Sequence, residues 1–495
     1  MASILQLFGA LIALLIVRFI TRAIYRIYFH PLSKFPGPKL HAATRIPCHL
    51  ATLKGSRDEL LQDLHRKYGP VVRVNHDELS FVEPNAWKDV YGHGTKGKPG
   101  SQPHKAWHRY GGSPNNAFSL VIAPDEDHNR QRKIFTPAFS DRALKQQEPL
   151  FLKYIDKLVA RLRESIQMDP NAKLDLVQLY NFTTFDIMGD LTFGEPLHML
   201  DNAEYDPWVK QIFGSLKVQT YLSVVTLYPW LWRLFTKIVP ESVNKMKMEH
   251  FNHSVTRVTK RLEKGRDTEG VDLWDLVLKQ KEGRGLTRGE MDANSSLFMI
   301  AGTETTATLL SGLTYLLLRN PECMKQLNDE IRGEFASADD MTMERLAALP
   351  YLTACIKEAF RVYPPVPLGL PRITPANGST VGDHFVPPNT IMMIPQHAMY
   401  MDKSNFKRPK EFLPQRWLGD KEFDSDERQC LQPFSVGSRD CVGKNMAYHE
   451  MRLIAAKVYY NFDLELCPES NNWAEQPTYI LWEKKPLMCK LRAVN

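Results

Sequence analysis

The first apolar run of the chain, Ile4 to Ile20, is interrupted only by Gln6 and Arg18, and Arg18, Arg22 and Arg26 then follow at four-residue spacing. A run of this length is near the minimum that crosses a bilayer as a helix. A cleaved secretory signal would place its positive charge before the apolar run and small residues after it; here the order is reversed. The pattern predicts an uncleaved anchor over residues 1–28. The positive-inside rule puts Arg18, Arg22, Arg26, Lys34 and Lys39 in the cytosol and the N-terminus across the membrane.

Beyond the anchor the rhythm changes. Pro31, Pro36, Gly37 and Pro38 interrupt residues 29–40, and proline forbids helix continuation, so a stiff hinge is expected before a body at 41–495. Alternation in Val71-Val72-Arg73-Val74-Asn75 and Leu79-Ser80-Phe81 predicts a two-stranded hairpin. Asp127 to Ala143 reads as a helix, and Leu144 to Leu286 as helices with polar breaks. Leu297 to Leu318 is strongly apolar, and Tyr351 to Tyr363 and Lys444 to Phe462 are further helical runs. Thr478-Tyr479-Ile480-Leu481 reads as a late hairpin. The fold class is therefore mainly α with small β-sheets.

Of the 495 residues 43% are hydrophobic, ample for a core, and the formal net charge is +7. Beyond the N-terminal region no Lys/Arg block or aromatic-basic stripe stands out, so a membrane surface or an acidic protein partner explains the charge better than nucleic acid. The seven cysteines form no Cys-x-x-Cys pair, which fits neither a zinc site nor a disulfide framework and points to reducing conditions.

Two patterns with chemical overtones fail on context. Gly92-His93-Gly94-Thr95-Lys96-Gly97 matches Gly-x-Gly-x-x-Gly but runs into Lys98-Pro99-Gly100 instead of a helix, and His449-Glu450 lacks the second histidine of a zinc motif because Leu453 stands there. A third pattern is specific. Phe434, Gly437, Arg439, Cys441 and Gly443 fill every fixed position of Phe-x-x-Gly-x-Arg-x-Cys-x-Gly. A cysteine just before a helix N-terminus is favoured as thiolate, the form that ligates metal.

In this motif the chain resembles the cytochrome P450 family, and in its proline-rich segment the microsomal, fungal-type members. The resemblance implies a haem-thiolate monooxygenase in which Cys441 is the axial ligand of the iron in haem b (iron protoporphyrin IX), with Phe434, Gly437, Arg439 and Gly443 shaping the cofactor loop. Ala301-Gly302-Thr303-Glu304-Thr305 matches the family's central helix. There the glycine leaves room for dioxygen, and Glu304 and Thr305 relay protons. Arg132, with His128 where tryptophan is usual, and Arg372 are implied to meet the haem propionates. Glu358, Arg361 and Arg416 match a Glu-Arg-Arg network that braces the cysteine loop, although Pro414-Gln415-Arg416-Trp417 replaces the usual Pro-Glu-Arg-Phe.

The same resemblance implies O2 as oxidant, a lipophilic small-molecule substrate admitted past the apolar segment Val218 to Val239, and location in the endoplasmic reticulum membrane with the body facing the cytosol. With no credible nucleotide motif, NADPH serves only indirectly, through a diflavin reductase docked near Lys444 and Arg452. A reductase-independent isomerase or dehydratase of the same fold, or a non-catalytic haem sensor, would share the cysteine motif. Retention of Glu304-Thr305 speaks against the isomerase. Four Asn-x-Ser/Thr sequons, at Asn181, Asn252, Asn294 and Asn377, offer a check on topology.

Overall fold

The apolar N-terminal run forms one helix, Ala2–Ile24, continued by a π-helical turn at Tyr25–Phe29. Most of its described side chains are exposed, Leu7 and Phe8 by 71% and 61%. Among the described residues Gln6–Phe29 is long and apolar enough to cross a membrane. The computed structural model describes residues 2–92, 102–228, 230, 232–233, 241–265, 272–277 and 285–494. Most of the Gly92–Gly97 pattern, and positions 229, 231 and 234–239 of the apolar segment, lie outside them.

The chain divides into two compact units, one of residues 1–109, 367–409 and 425–440, the other of 110–366, 410–424 and 441–495. In the first, the predicted hairpin forms by antiparallel pairing of Val71–Asn75 with Glu78–Phe81. Ile391–Met393, Arg372–Ile373 and His104–Lys105 then extend it to five strands. Every residue of the hairpin strands is buried, so the alternation marks two covered faces and no solvent face. The expected hinge is packed onto this sheet. Leu32 and Phe35 are buried, and Arg73 N–H donates to the Pro36 carbonyl at 2.7 Å. The Arg73 guanidinium donates to the Arg26 carbonyl at 2.8 Å, and Arg26 donates to Ala43 O at 2.9 Å.

The second unit is largely helical. The single helix expected over 127–143 is in fact Asp125–Phe135, a 3-10 turn at Thr136–Phe139, and a new helix Asp141–Met168. Pro137 removes a donor, and the Ser140 hydroxyl accepts from Ala143 N–H as an N-cap. The expected helix over 297–318 is likewise two, Arg288–Ala301 and Glu304–Leu318, broken at Gly302 and Thr303. A capping box between Thr287 and Glu290 starts the first. The second, the central helix, packs against Leu176–Phe193, Pro350–Val362 and Lys444–Asn461. A hydroxyl chain ties three of these together: Tyr180 OH lies 2.9 Å from Thr314 Oγ1, which lies 2.9 Å from Tyr459 OH. A side chain at Gly312 would collide with the Tyr363 ring. Small sheets complete the unit, with Thr478–Tyr479 and Leu481–Trp482 paired as the expected late hairpin.

Candidate active site

The cysteine loop turns on two left-handed residues, Ser435 (φ 60°) and Gly437 (φ 85°). Gly437 tolerates no substituent, because a Cβ there would run into the Tyr91 carbonyl oxygen. Asp440 N–H then closes the turn onto Gly437 O at 3.2 Å. Cys441 follows, two residues before the Gly443 N-cap of Lys444–Asn461. Of the seven cysteines five are buried and Cys323 is half-buried; Cys441 is exposed. Burial pushes the Cys48 and Cys430 thiols up to about 12, the mark of inert core cysteines.

The second unit also holds the broken turn of the central helix. Ala301 is exposed and Thr305 half-buried, whereas Thr303, Glu304 and Thr306 are buried. Thr305 Oγ1 donates to Ala301 O at 2.7 Å, and Thr306 Oγ1 to Gly302 O at 3.2 Å, so hydroxyls satisfy the carbonyls that the break leaves open. Gly302 does not open the space expected of it: a Cβ there would lie 2.9 Å from Met188 Sδ of the neighbouring helix. The missing side chain admits Met188, and the small exposed residue is Ala301. This turn connects to the cysteine helix through aromatic rings. Gly443 lies 3.8 Å from the Phe139 ring by its Cβ position, and Phe139 packs edge-on against Phe298 at 6.0 Å.

Glu304 points away from Thr305's exposed side. Its Oε1 accepts from Lys484 Nζ at 2.5 Å, and Lys484 also donates to Thr308 Oγ1 at 2.7 Å. Burial, the largest influence on both, raises the acid's pKa and lowers the amine's, drawing the two toward each other.

Glu358, Arg361 and Arg416 form one fully buried cluster. Arg361 grips Glu358 through two bonds, 3.0 and 2.7 Å, and Arg416 Nε donates to Glu358 Oε1 at 3.0 Å. The indole of Trp417 donates to Glu358 Oε2 at 2.9 Å. The Gln-Arg-Trp departure thus supplies an extra donor to the one acid instead of a second acid. Arg361 also donates to Glu411 O at 2.7 Å, tying the helix to the 410–424 segment.

Of the remaining predicted residues, His128 is buried and Arg132 half-buried, four residues apart on Asp125–Phe135. In the first unit, buried Arg372 lies over the Tyr91 ring at 5.4 Å, and half-buried Arg439 over the Trp107 ring at 5.4 Å. Phe434 is half-buried.

A family model for cytochrome P450 matches residues 36–491. The chain belongs to the cytochrome P450 family. It is 49% identical over 470 residues to the cytochrome P450 monooxygenase FUM2 of Gibberella moniliformis, covering 94% of this chain and 98% of that protein. It is 46% identical over 479 residues to the cytochrome P450 monooxygenase efuB of Hormonema carpetanum, covering 96% and 94%. The trichothecene C-4 hydroxylase of Trichoderma arundinaceum is 41% identical over 479 residues, 95% and 94% of the two chains.

The protein is accordingly a haem-thiolate P450 monooxygenase, using O2 and a redox partner. Its residues suit the haem. The exposed Cys441, just before the N-terminus of Lys444–Asn461, is a thiol placed to act as the donor that the family's haem iron takes from the protein. The exposed Ala301 leaves a bare stretch of helix for a flat ring. Sequence reasoning missed Lys484, which is 180 residues from its partner and carries no local signal. It also missed the donor role of Trp417, although the departure itself was visible.

Proposed function

We propose that this P450 hydroxylates an unactivated C–H bond of a lipophilic small molecule in fungal secondary metabolism. The observation that carries the reading is Cys441, the exposed thiol within a fully occupied haem-loop motif. Haem b, once bound, supplies the oxygen-activating chemistry. Cys441 would hold its iron, at the end of the turn through Ser435 and Gly437. Arg132, Arg372 and Arg439 offer cations to the propionates, with His128 beside Arg132, and Phe434 and Gly443 shape the loop. The exposed Ala301 would face the cofactor without crowding it.

Thr305 Oγ1 donates its one hydrogen to Ala301 O at 2.7 Å and keeps lone pairs that would accept a proton on the exposed face of the helix. Lys484 Nζ would pass its proton to Glu304 Oε1 across their 2.5 Å contact, burial favouring the neutral form of both, and the neutral acid would then turn to donate that proton toward Thr305. Glu358, Arg361, Arg416 and Trp417 brace the structure around the cysteine loop.

Electrons come from NADPH through a membrane-bound diflavin reductase. Exposed Lys444 is the cation beside the cysteine available to an acidic partner; Arg452 is engaged over the Tyr448 ring at 5.2 Å. In this reading the anchor sits in the endoplasmic reticulum membrane and the body faces the cytosol, which the cations after the apolar run support. Reconstitution with such a reductase tests the reading. A lipophilic substrate should accelerate NADPH consumption and yield a product 16 mass units heavier, about one oxygen atom. Product formed without reductase would indicate an isomerase, and haem binding with no turnover would indicate a sensor.

A further inference from the structure

Where the N-terminal helix meets the five-stranded sheet, arginines gather around a single carboxylate. Arg22 and Arg26 stand four residues apart near the end of the helix. Arg45 is the N-cap residue of Ile46–Lys54, and Arg73 comes from the first hairpin strand. Arg26 donates to Ala43 O at 2.9 Å, and Arg73 donates to Arg26 O and to His76 O, each at 2.8 Å. Arg45 is paired with Asp77 in the hairpin turn. Asp77 is also the acid whose charge reaches His30, Arg73 and His76. Glu78, the next residue, is buried and already held by Arg57 at 2.8 Å and Asn75 at 2.7 Å.

The protein does not saturate this cluster. The buried Nε–H groups of Arg45 and Arg73 have no hydrogen-bond acceptor. Burial lowers the pKa of Arg73 to about 10, with the charge of Arg26 adding to the effect, yet the group stays protonated at pH 7. Burial holds His76 at about 4, so it is neutral and leaves the excess charge on the arginines. One carboxylate cannot offset four guanidinium groups, and cations withdrawn from water call for a further anion. Two parallel N–H donors make guanidinium well suited to two oxygens of a phosphate.

The surrounding side chains indicate where that anion comes from. Tyr25, Tyr28 and Phe29, on the turn that carries Arg26, are exposed, and aromatic rings at the end of a membrane helix sit at headgroup level. Leu40, Ile46 and Leu50, on the two short helices either side of Arg45, are exposed as well. Exposed apolar groups on both sides of an arginine suit the boundary between acyl chains and headgroups. We propose that Arg26 and Arg45, backed by Arg22 and Arg73, hold the headgroup phosphate of one anionic phospholipid. The inference rests on the membrane-anchor reading and adds to it a choice among lipids, which an apolar helix alone does not make.

Native mass spectrometry of the full-length holoenzyme, released from vesicles of mixed phosphatidylcholine and phosphatidic acid, tests the site. One phosphatidic acid should remain on each chain in preference to phosphatidylcholine, and should stay bound in excess inorganic phosphate. Arg45→Gln should lower the lipid-bound fraction by at least about fivefold. Asp77→Asn removes the competing acid and should raise that fraction, a gain that a folding defect does not imitate. Lys34→Gln deletes the same charge at an exposed lysine outside the cluster and should change the fraction by less than about twofold.

Equal losses in K34Q and R45Q would mean diffuse attraction to a charged surface and would overturn the site. Undiminished binding in folded R45Q, or no gain in D77N, does the same. Displacement of the lipid by inorganic phosphate would replace it with a site for a free anion. The two readings are separable. A chain that enters pure phosphatidylcholine vesicles but shows no preference for phosphatidic acid keeps its anchor and loses the lipid site, whereas a chain that does not enter them loses both.

Discussion

Lys484 Nζ and Glu304 Oε1 stand 2.5 Å apart, with both side chains only 4% exposed. A pair this deep is stabilising relative to either half alone, because removing one partner strands the other's charge. Lys484→Met should therefore destabilise the protein by about 3–5 kcal/mol. Lys484→Met combined with Glu304→Gln should recover part of that loss, with a coupling of about 1–3 kcal/mol in a denaturant double-mutant cycle. Additive effects would mean that the two groups do not interact in solution.

The buried acids give opposite pH signatures. Glu450 has a folded pKa of about 8 against an ordinary 4.5, so the folded state binds the extra proton between those values. Its contribution to stability is fully present below about 4.5 and lost as pH rises through 8, at up to about 1.4 kcal/mol per pH unit. Stability curves of wild type and Glu450→Gln between about pH 5 and 8 should converge or cross as the wild type declines. Glu78 runs the other way. Burial opposes its charge, but Arg57 and Arg109 overcome that and hold its pKa at about 2, so its contribution is present above 4.5 and lost as pH falls toward 2.

Cys441→Ser should abolish the red-shifted absorption of the reduced carbon-monoxide complex, since serine cannot supply a thiolate. Cys323→Ser, at a half-buried cysteine outside the loop, should leave the spectrum unchanged. Survival of the band in the first variant would remove Cys441 as ligand.

Trp417→Phe restores the residue usual at that place and deletes one donor to Glu358. The loss should be about 1–2 kcal/mol in thermal or denaturant unfolding, with haem retained. Arg416→Leu leaves the buried acid with one arginine fewer and should lose about 3–5 kcal/mol together with haem content. Equal effects of the two changes would show that the indole is as essential as the second arginine.

The topology check narrows to two sites. Asn181 and Asn294 are buried and would carry no glycan on either side of a membrane, whereas Asn252 and Asn377 are exposed. With the body in the cytosol neither exposed asparagine is modified, and glycosidase treatment of the membrane-expressed protein should leave its mass unchanged.

What the sequence disclosed was local. The cysteine loop could be read because its turn, its cation and its ligand lie within ten residues, and Glu358 with Arg361 because helical spacing joins them. The break at Gly302 and Thr303 was hidden, since apolar residues continue on both sides and the hydroxyls that satisfy the open carbonyls look like ordinary helical threonines. Pro137 and Ser140 did announce a helix boundary, and the charge pattern running through them masked it. Lys484 was out of reach because its partner is fixed by tertiary packing alone. The room expected at Gly302 went to Met188, a residue on another helix that spacing cannot place.

The packed proline segment changes what the membrane helix does for the enzyme. Arg26, at its end, is fastened to Ala43, and Arg73 grips both Arg26 O and, through its backbone, Pro36. The helix is thus a lever bolted to the five-stranded sheet, and not a tether. Were the helix seated in a bilayer, a tilt imposed on it would pull on the sheet through these bonds. Bilayer thickness would then bear on the orientation of this unit as well as on the helix itself.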